Sequence, residues 1–187
     1  MTVGMHACPR EDKKLMEQLY EDTYPKERRL PFKMLESISK ENYGVTFDVI
    51  YEDATPLGFM YLVQLEGIMY LMYFAVRGEY RGNEKVASEI HNLAIIHENV
   101  IACTDEYISN GSSWQQQYLI EHGFHKTGAQ IIECREPLNV LSTLDGYVPT
   151  EDIVKQRHAG LSEDLIDKMI IKKLFQPDEA KFYIYEN

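Results

Sequence analysis

Cysteine is scarce in this 187-residue chain, which has only three. An odd number argues against a disulfide framework, and Cys8, Cys103 and Cys134 include no Cys-x-x-Cys pair of the kind that binds zinc. No HExxH motif occurs, and His91 and His97 are six residues apart rather than the three or four that share a helix face. The sequence therefore predicts neither a disulfide scaffold nor a metal site.

Long apolar runs are also missing, because none reaches the length needed to cross a bilayer. Residues 1–10 lack the apolar core of a signal peptide. Basic residues are in the minority, with 19 Lys and Arg against 30 Asp and Glu, for a net charge of −11. This charge disfavours binding to nucleic acid or anionic membrane, and it suits either a cationic amine substrate or simple solubility. We therefore expect a cytoplasmic protein with no nucleic-acid or membrane partner.

The remaining pattern is that of an α/β (α+β) domain over residues 1–148, with a C-terminal helical extension over 149–187 packed on it. Hydrophobic residues make up 44% of the chain, an ordinary share for a globular protein. Periodicity predicts, in order, a strand, two helices, a three-stranded antiparallel meander, a helix, a strand, a helix and two strands. The last segment, 181–187, is either an edge strand or a tail.

The stretch from Tyr70 to His97 is the most informative part of the sequence. An apolar run ends at Val76, a short polar turn follows, and a helix opens near Glu84. A strand that enters a helix through such a turn leaves several backbone N–H groups directed at one place. Those donors and the helix dipole favour an anion, and phosphate in particular.

This order of elements, with four segments of the sequence, resembles the GNAT superfamily of N-acetyltransferases. The segments are YPKERRLPF (24–32), MYFAVRGEYRG (72–82), YLIEHGF (118–124) and the pair FHKTG and NVLS (124–128 and 139–142). The resemblance spans roughly residues 3–144. It implies a mixed, mostly antiparallel central sheet flanked by helices, with a V-shaped opening between the strands at 69–76 and 100–104.

The resemblance also implies a function and a site. Acetyl-CoA would lie in the opening, its pantetheine arm paired with the backbone of Phe74, Ala75 and Val76. Its pyrophosphate would be bound by the turn and helix start made of Arg81, Gly82, Asn83, Glu84, Lys85 and Val86. A base would first remove a proton from a primary amine of a small molecule or peptide. The neutral amine would then attack the thioester directly, and a general acid would protonate the departing thiolate.

Two positions depart from the family pattern. The phosphate loop has Glu84 and Val86 where the family has small residues, so a carboxylate and a branched side chain are expected to crowd the phosphate. The helix that usually carries a tyrosine general acid has Leu119 at that position. Its neighbour Tyr118 lies about 100° further round the helix, where it is either the acid of a shifted helix or a core aromatic.

These departures leave a second interpretation open, in which the protein keeps the fold without catalysis and acts by binding a ligand or partner. Glu66, Glu79 and Glu133 are equivalent candidates for the base. Arg28 and Arg29 either line a substrate rim or, as we expect, lie in a solvated turn with their stems packed on Phe32. The amphipathic C-terminal segment and the final strand make a homodimer plausible.

Overall fold

The structure is a computed structural model that describes residues 8, 10–41, 44–65, 67–105, 107–108, 111–112, 114–133, 136–149 and 182–184. Four α-helices lie in this part of the chain: α1 (Lys13–Thr23), α2 (Phe32–Glu41), α3 (Glu84–Ile96) and α4 (Trp114–Glu121). Short 3₁₀ turns cover Lys26–Arg28 and Gly78–Tyr80. All four helices were predicted, and Gly123 ends α4 with φ of 102°, a left-handed conformation that suits glycine.

Seven strands form one sheet in the order β1-β2-β3-β4-β8-β7-β9. Their bounds are β1 (Val45–Glu52), β2 (Thr55–Leu65), β3 (Ile68–Val76), β4 (Val100–Asp105), β7 (His125–Glu133), β8 (Glu136–Ser142) and β9 (Phe182–Ile184). Only the pairing of β3 with β4 is parallel, because α3 carries the chain back across the sheet between them. The predicted mixed, mostly antiparallel sheet is thereby confirmed.

Two further strands, β5 (Tyr107–Ile108) and β6 (Gly111–Ser112), form a small separate hairpin where the sequence predicted a loop. The short strand β9 pairs with β7 at the sheet edge, which settles the choice left open for the end of the chain in favour of a strand. The predicted strand at 3–7 and the helical segments within 150–181 lie outside the described residues. The division into 1–148 and 149–187 therefore stays a prediction.

The sheet has an apolar core on each face. On one face α1 and α2 cover buried rings of β1, β2 and β3, including Phe47, Phe59 and Tyr73. On the other, α3 and α4 cover Leu71, Phe74 and further apolar residues of the same strands. This two-sided burial explains why β2 reads as an almost continuous apolar run rather than an alternating one.

Strand β3 contains a β-bulge. Tyr61 of β2 pairs with Tyr73, but the next residue, Leu62, pairs with Leu71, so Met72 is an extra residue in β3. Such a bulge bends the strand and increases its twist. It also places Tyr70 and Tyr73 on the same face although they are three residues apart.

Candidate active site

A cleft opens in the sheet between β3 and β4. The two strands pair only through Met69 with Val100, Tyr70 with Ile101 and Leu71 with Ala102. Pairing stops immediately before the bulge at Met72, so we attribute the separation to the bend that the bulge introduces. The V-shaped opening that the family resemblance implied is present between these two strands.

A narrow cavity of about 40 Å³, enough for a few water molecules, lies in this cleft. Its walls come from α1, the 3₁₀ turn at 26–28, both separated strands and α4. The lining includes Tyr24, Arg28, Phe74, Asp105, Gln115 and Leu119. Polar groups from four elements therefore converge on one mainly apolar pocket, which is the usual form of a small-molecule site.

The backbone of Phe74 faces the open side of β3, and side chains from both faces of the sheet bind it. The Tyr24 hydroxyl donates to the Phe74 carbonyl over 3.0 Å and accepts from the Phe74 N–H over 2.7 Å. The Gln115 amide nitrogen donates to the same carbonyl over 2.7 Å and to the Tyr24 oxygen over 3.1 Å. Both backbone groups that β4 would pair in a continuous sheet are thus satisfied by Tyr24 and Gln115.

Tyr24 is held firmly in this position. It is the C-cap of α1, and its N–H donates to the Tyr20 carbonyl over 3.1 Å. Its ring packs edge-on against Tyr73, with ring centres 4.9 Å apart. Burial raises the pKa of Tyr24 well above its usual value, so the hydroxyl keeps its proton at neutral pH.

An ion pair closes another side of the cavity. The guanidinium of Arg28, which is buried, pairs with the half-buried carboxylate of Asp105 at the end of β4. The Arg28 carbonyl also accepts a hydrogen bond from the Tyr73 hydroxyl over 3.0 Å. The expectation that Arg28 lies in a solvated turn is therefore wrong, because the 3₁₀ turn at 26–28 directs its side chain towards Asp105.

The predicted phosphate site lies at the start of α3. Asn83 is the N-cap: its side-chain oxygen accepts from the Lys85 N–H over 2.7 Å, and its own N–H donates to the Tyr80 carbonyl over 3.0 Å. By the geometry of any helix start, the N–H groups of Glu84 and Val86 have no acceptor within the helix. These two amides, with the helix dipole, remain suited to an anion.

The structure corrects part of what the sequence suggested for this turn. Val86 is fully buried in the core under α3, so its side chain points away from the phosphate position and does not crowd it. Glu84 and Lys85 are exposed in the first turn, and Lys85 pairs with Glu89. Arg81 is exposed, with its guanidinium 4.3 Å from the ring centre of Trp114, which brings the turn and α4 together. The negative charge of Glu84 therefore remains as an obstacle to a phosphate, together with that of Glu52, whose carboxylate accepts from the Asn83 side-chain amide over 3.0 Å.

Tyr118, the acid that the sequence suggested, does not line the cavity. Its ring packs between Phe74 and His122, and its buried hydroxyl has no hydrogen-bond partner among the described residues. Burial raises its pKa. The α4 residues that do face the cavity are Gln115 and Leu119, one turn apart, which places α4 in the register that the family pattern implied.

Three residues of this site were missed from the sequence: Tyr24, Asp105 and Gln115. Each is brought to the cleft by a different element, and no short motif connects them. Of the base candidates that the sequence did name, Glu79 is exposed and pairs with Arg77. Glu66 and the Glu133 side chain lie outside the described residues. In the described ranges no cluster of three metal-ligating side chains occurs.

No protein-family model matches this sequence, and no curated protein matches it either. Solved structures do match. A GNAT-family protein from Bacteroides thetaiotaomicron has a TM-score of 0.57 at 16% identity, over 81% of this chain and 88% of the other. PaiA N-acetyltransferase from Thermoplasma acidophilum, in complex with coenzyme A, has 0.54 at 14%, over 76% and 98%. Spermidine N-acetyltransferase from Vibrio cholerae, in complex with CoA and spermine, has 0.54 at 11%, over 73% and 91%.

These matches establish the fold. The chain has the GNAT fold, as the sequence resemblance implied, including the parallel strand pair that opens into a cleft. At identities of 11–16% the likeness carries no substrate or residue role across. In the described part of the chain, no helix combines the length and apolar character needed to span a membrane.

Proposed function

We propose that this protein is an N-acetyltransferase that transfers the acetyl group of acetyl-CoA to a primary amine of a small molecule or peptide. One observation carries the proposal: β3 and β4 pair through three residues and then separate over a cavity on which polar groups from four elements converge. In this structure Tyr24 and Gln115 satisfy the backbone groups that Phe74 presents on the open side of β3. An extended ligand arm laid along β3 would use them instead.

The proposed binding position of acetyl-CoA follows from the order of the secondary-structure elements along the chain. A pyrophosphate on the amides at the start of α3 would lie just beyond Val76, where β3 ends. An arm that runs from there along β3 passes Val76, Ala75 and then Phe74. The residues present fit acetyl-CoA in this position once Tyr24 and Gln115 release the Phe74 backbone.

The acceptor amine would enter on the side of Arg28 and Asp105. Asp105 is the carboxylate that lines the cavity, so it is suited to attract an ammonium group and to take up its proton through water. The overall charge of −11 favours a cationic substrate in the same direction. The neutral amine then attacks the thioester carbonyl, and the thiolate leaves.

A second candidate is a GNAT-fold protein without catalysis, which works by binding a ligand or partner. The observation in its favour is that Tyr24 and Gln115 occupy both backbone groups of Phe74. If these bonds never release, no ligand arm can pair with β3 at that residue. The two candidates differ in a simple way, because only the first requires the cleft to accept a thioester.

Calorimetric titration of the full chain with acetyl-CoA, followed by a thiol-release assay with a panel of amines, tests the proposal. We expect saturable 1:1 binding and amine-dependent release of CoA. Binding without release for any amine would favour the second candidate, and no heat at millimolar ligand would overturn the proposed function.

The charge of Glu84 allows a matched pair of variants. Glu84→Gln keeps the size of the side chain and removes a carboxylate from the first turn of α3, so we expect acetyl-CoA to bind about two- to fivefold more tightly. Glu98→Gln, an equal charge change beyond the opposite end of α3, is the control and should not change affinity. Replacing Val86 by glycine, which the sequence alone would suggest, would only create a cavity in the core.

A further inference from the structure

We propose that Tyr24, from α1, is the proton donor to the leaving sulfur in this cleft, the role that the sequence offered to Tyr118 of α4. The inference rests on the proposed acetyl transfer and names a further catalytic residue for it. It is carried by the position of the Tyr24 hydroxyl on the backbone of Phe74, in the opening between β3 and β4.

The end of the ligand arm defines where the acid must be. An arm that starts at the α3 amides and follows β3 backwards passes Val76 before it reaches Phe74, whose N–H and carbonyl face the opening. Its reactive end therefore arrives at Phe74, where the Tyr24 oxygen is 2.7 Å from the backbone nitrogen and 3.0 Å from the carbonyl oxygen. No displacement of a helix is needed to bring this phenol to the reacting atoms.

Two other phenols that line the cavity, Tyr70 and Tyr73, are placed differently, and Tyr70 lies where β3 still pairs with β4 through Ile101. The Tyr73 hydroxyl is engaged with the Arg28 carbonyl over 3.0 Å, on the face of the sheet that α1 covers. Tyr118 packs on the opposite face and does not line the cavity. Leu119, at the position where the family pattern has its acid, contributes only apolar surface. Tyr24 fills the same cavity from the other side.

Gln115 is the positioning residue of this arrangement. Its amide nitrogen donates to the Tyr24 oxygen over 3.1 Å and to the Phe74 carbonyl over 2.7 Å. When the ligand takes the Phe74 groups, Tyr24 retains Gln115 as a partner and its proton is released for a new acceptor. A donor to the phenol oxygen also stabilises the negative charge that develops there as the proton leaves.

The transfer balances without any further reactant. The amine nitrogen forms a bond to the thioester carbon, and the carbon–sulfur bond breaks with its electron pair going to sulfur. The Tyr24 hydroxyl gives its proton to that sulfur and receives, directly or through one water, the proton that the nitrogen sheds. The products are an amide and a neutral thiol, and Tyr24 is regenerated.

The same geometry predicts a change in acetyl-CoA affinity, which can be measured without catalysis. With the cleft empty, Tyr24 competes for both Phe74 groups, so ligand entry must break its two bonds. Tyr24→Phe keeps the ring that packs on Tyr73 and removes that competition. The variant should therefore bind acetyl-CoA about fivefold more tightly and yet turn over about 100-fold more slowly, with the KM for the amine little changed.

The test measures acetyl-CoA affinity by calorimetry and kcat with the best amine of the panel, for wild type, Tyr24→Phe and Tyr20→Phe. Tyr20 is the matched control, because its hydroxyl is buried, donates to the Leu30 carbonyl and does not line the cavity. Tyr20→Phe should change neither affinity nor kcat. Tyr118→Phe is measured beside them as the competing assignment.

The outcomes separate this inference from the function on which it rests. Tighter binding with a large loss of kcat in Tyr24→Phe alone supports it. A kcat within threefold of wild type, an unchanged or weaker affinity, or a loss of kcat in Tyr118→Phe instead would overturn it while acetyl transfer stands. Binding with no turnover of any amine also overturns the catalytic role, and a wild-type chain that does not bind acetyl-CoA overturns both proposals.

Discussion

Arg28 and Asp105 form an ion pair across the mouth of the cleft, although 77 residues separate them in the chain. The side chain of Arg28 is only 9% exposed, against 30% for Asp105. Losing the acid therefore leaves a buried guanidinium without its partner, which is more costly than losing an exposed one.

Asp105→Asn should consequently lower the free energy of unfolding by about 1–3 kcal/mol in urea denaturation. The double variant Arg28→Met with Asp105→Asn should lose less than the sum of the two single changes, because the unpaired charge is gone. Additive losses would show that the two groups do not stabilise each other in solution.

A substitution at Gly58 tests how closely the backbones of the paired strands β2 and β3 approach each other. A Cβ atom at this position would lie 2.3 Å from the Ala75 carbonyl oxygen, and backbone cannot yield as a flexible side chain would. Gly58→Ala should destabilise the protein by about 1–3 kcal/mol or more by overpacking. Gly78→Ala is the matched control, since nothing lies within 4 Å of its added Cβ. Equal midpoints of chemical unfolding for the two variants would contradict the close approach.

Substitutions of Tyr118 and Tyr61 compare two buried hydroxyls that differ in their hydrogen bonding. The Tyr118 hydroxyl has no partner among the described residues, whereas that of Tyr61 donates to the Leu35 carbonyl over 3.1 Å. Tyr118→Phe should leave stability unchanged or raise it by up to about 1 kcal/mol, and Tyr61→Phe should lower it by about 1 kcal/mol. Thermal unfolding at one pH distinguishes the two, and a clear loss in Tyr118→Phe would mean that its hydroxyl is paired in solution.

His97, just after α3, gives the protein a predictable pH dependence. Burial lowers the pKa of His97 below its usual value of 6.5, so the unfolded chain binds the proton more readily than the folded one. Its contribution to stability is present above pH 6.5 and is lost as pH falls below that value. His97→Gln should flatten this part of the stability profile. His91→Gln, an exposed change on the same helix, is the control, and identical profiles for wild type and His97→Gln would contradict the assignment.

Periodicity and turn signals were sufficient to predict the four described helices and six strands of the sheet, whereas β9 was left open as a strand or a tail. The meander was readable because each strand is apolar and ends at a turn, such as the one at Gly67 with φ of 72°. The small hairpin β5–β6 was missed, because two-residue strands leave no period to detect. The bulge at Met72 was missed as well, because it depends on how β3 pairs with β2 and not on the identity of Met72.

The same distinction, between features set by neighbouring residues and features set by the folded sheet, applies to the candidate site. The turn that we propose binds phosphate is contiguous in sequence, so the start of α3 at Glu84 could be predicted, and the structure adds Asn83 as its N-cap. The inward direction of Val86 could not, because it depends on how α3 sits on the sheet. Tyr24 and Gln115 meet at Phe74 across 91 residues, and only the folded sheet brings them together.

The most direct test of the central claim is an NMR titration of the ¹⁵N-labelled chain with acetyl-CoA, following the backbone amide of each residue. We predict saturable shifts concentrated on Phe74 to Val76 and on Arg81 to Val86, with the Phe74 amide among the largest because it exchanges the Tyr24 oxygen for the ligand. An absence of saturable shifts, or shifts confined to residues far from the β3–β4 cleft, would contradict the account.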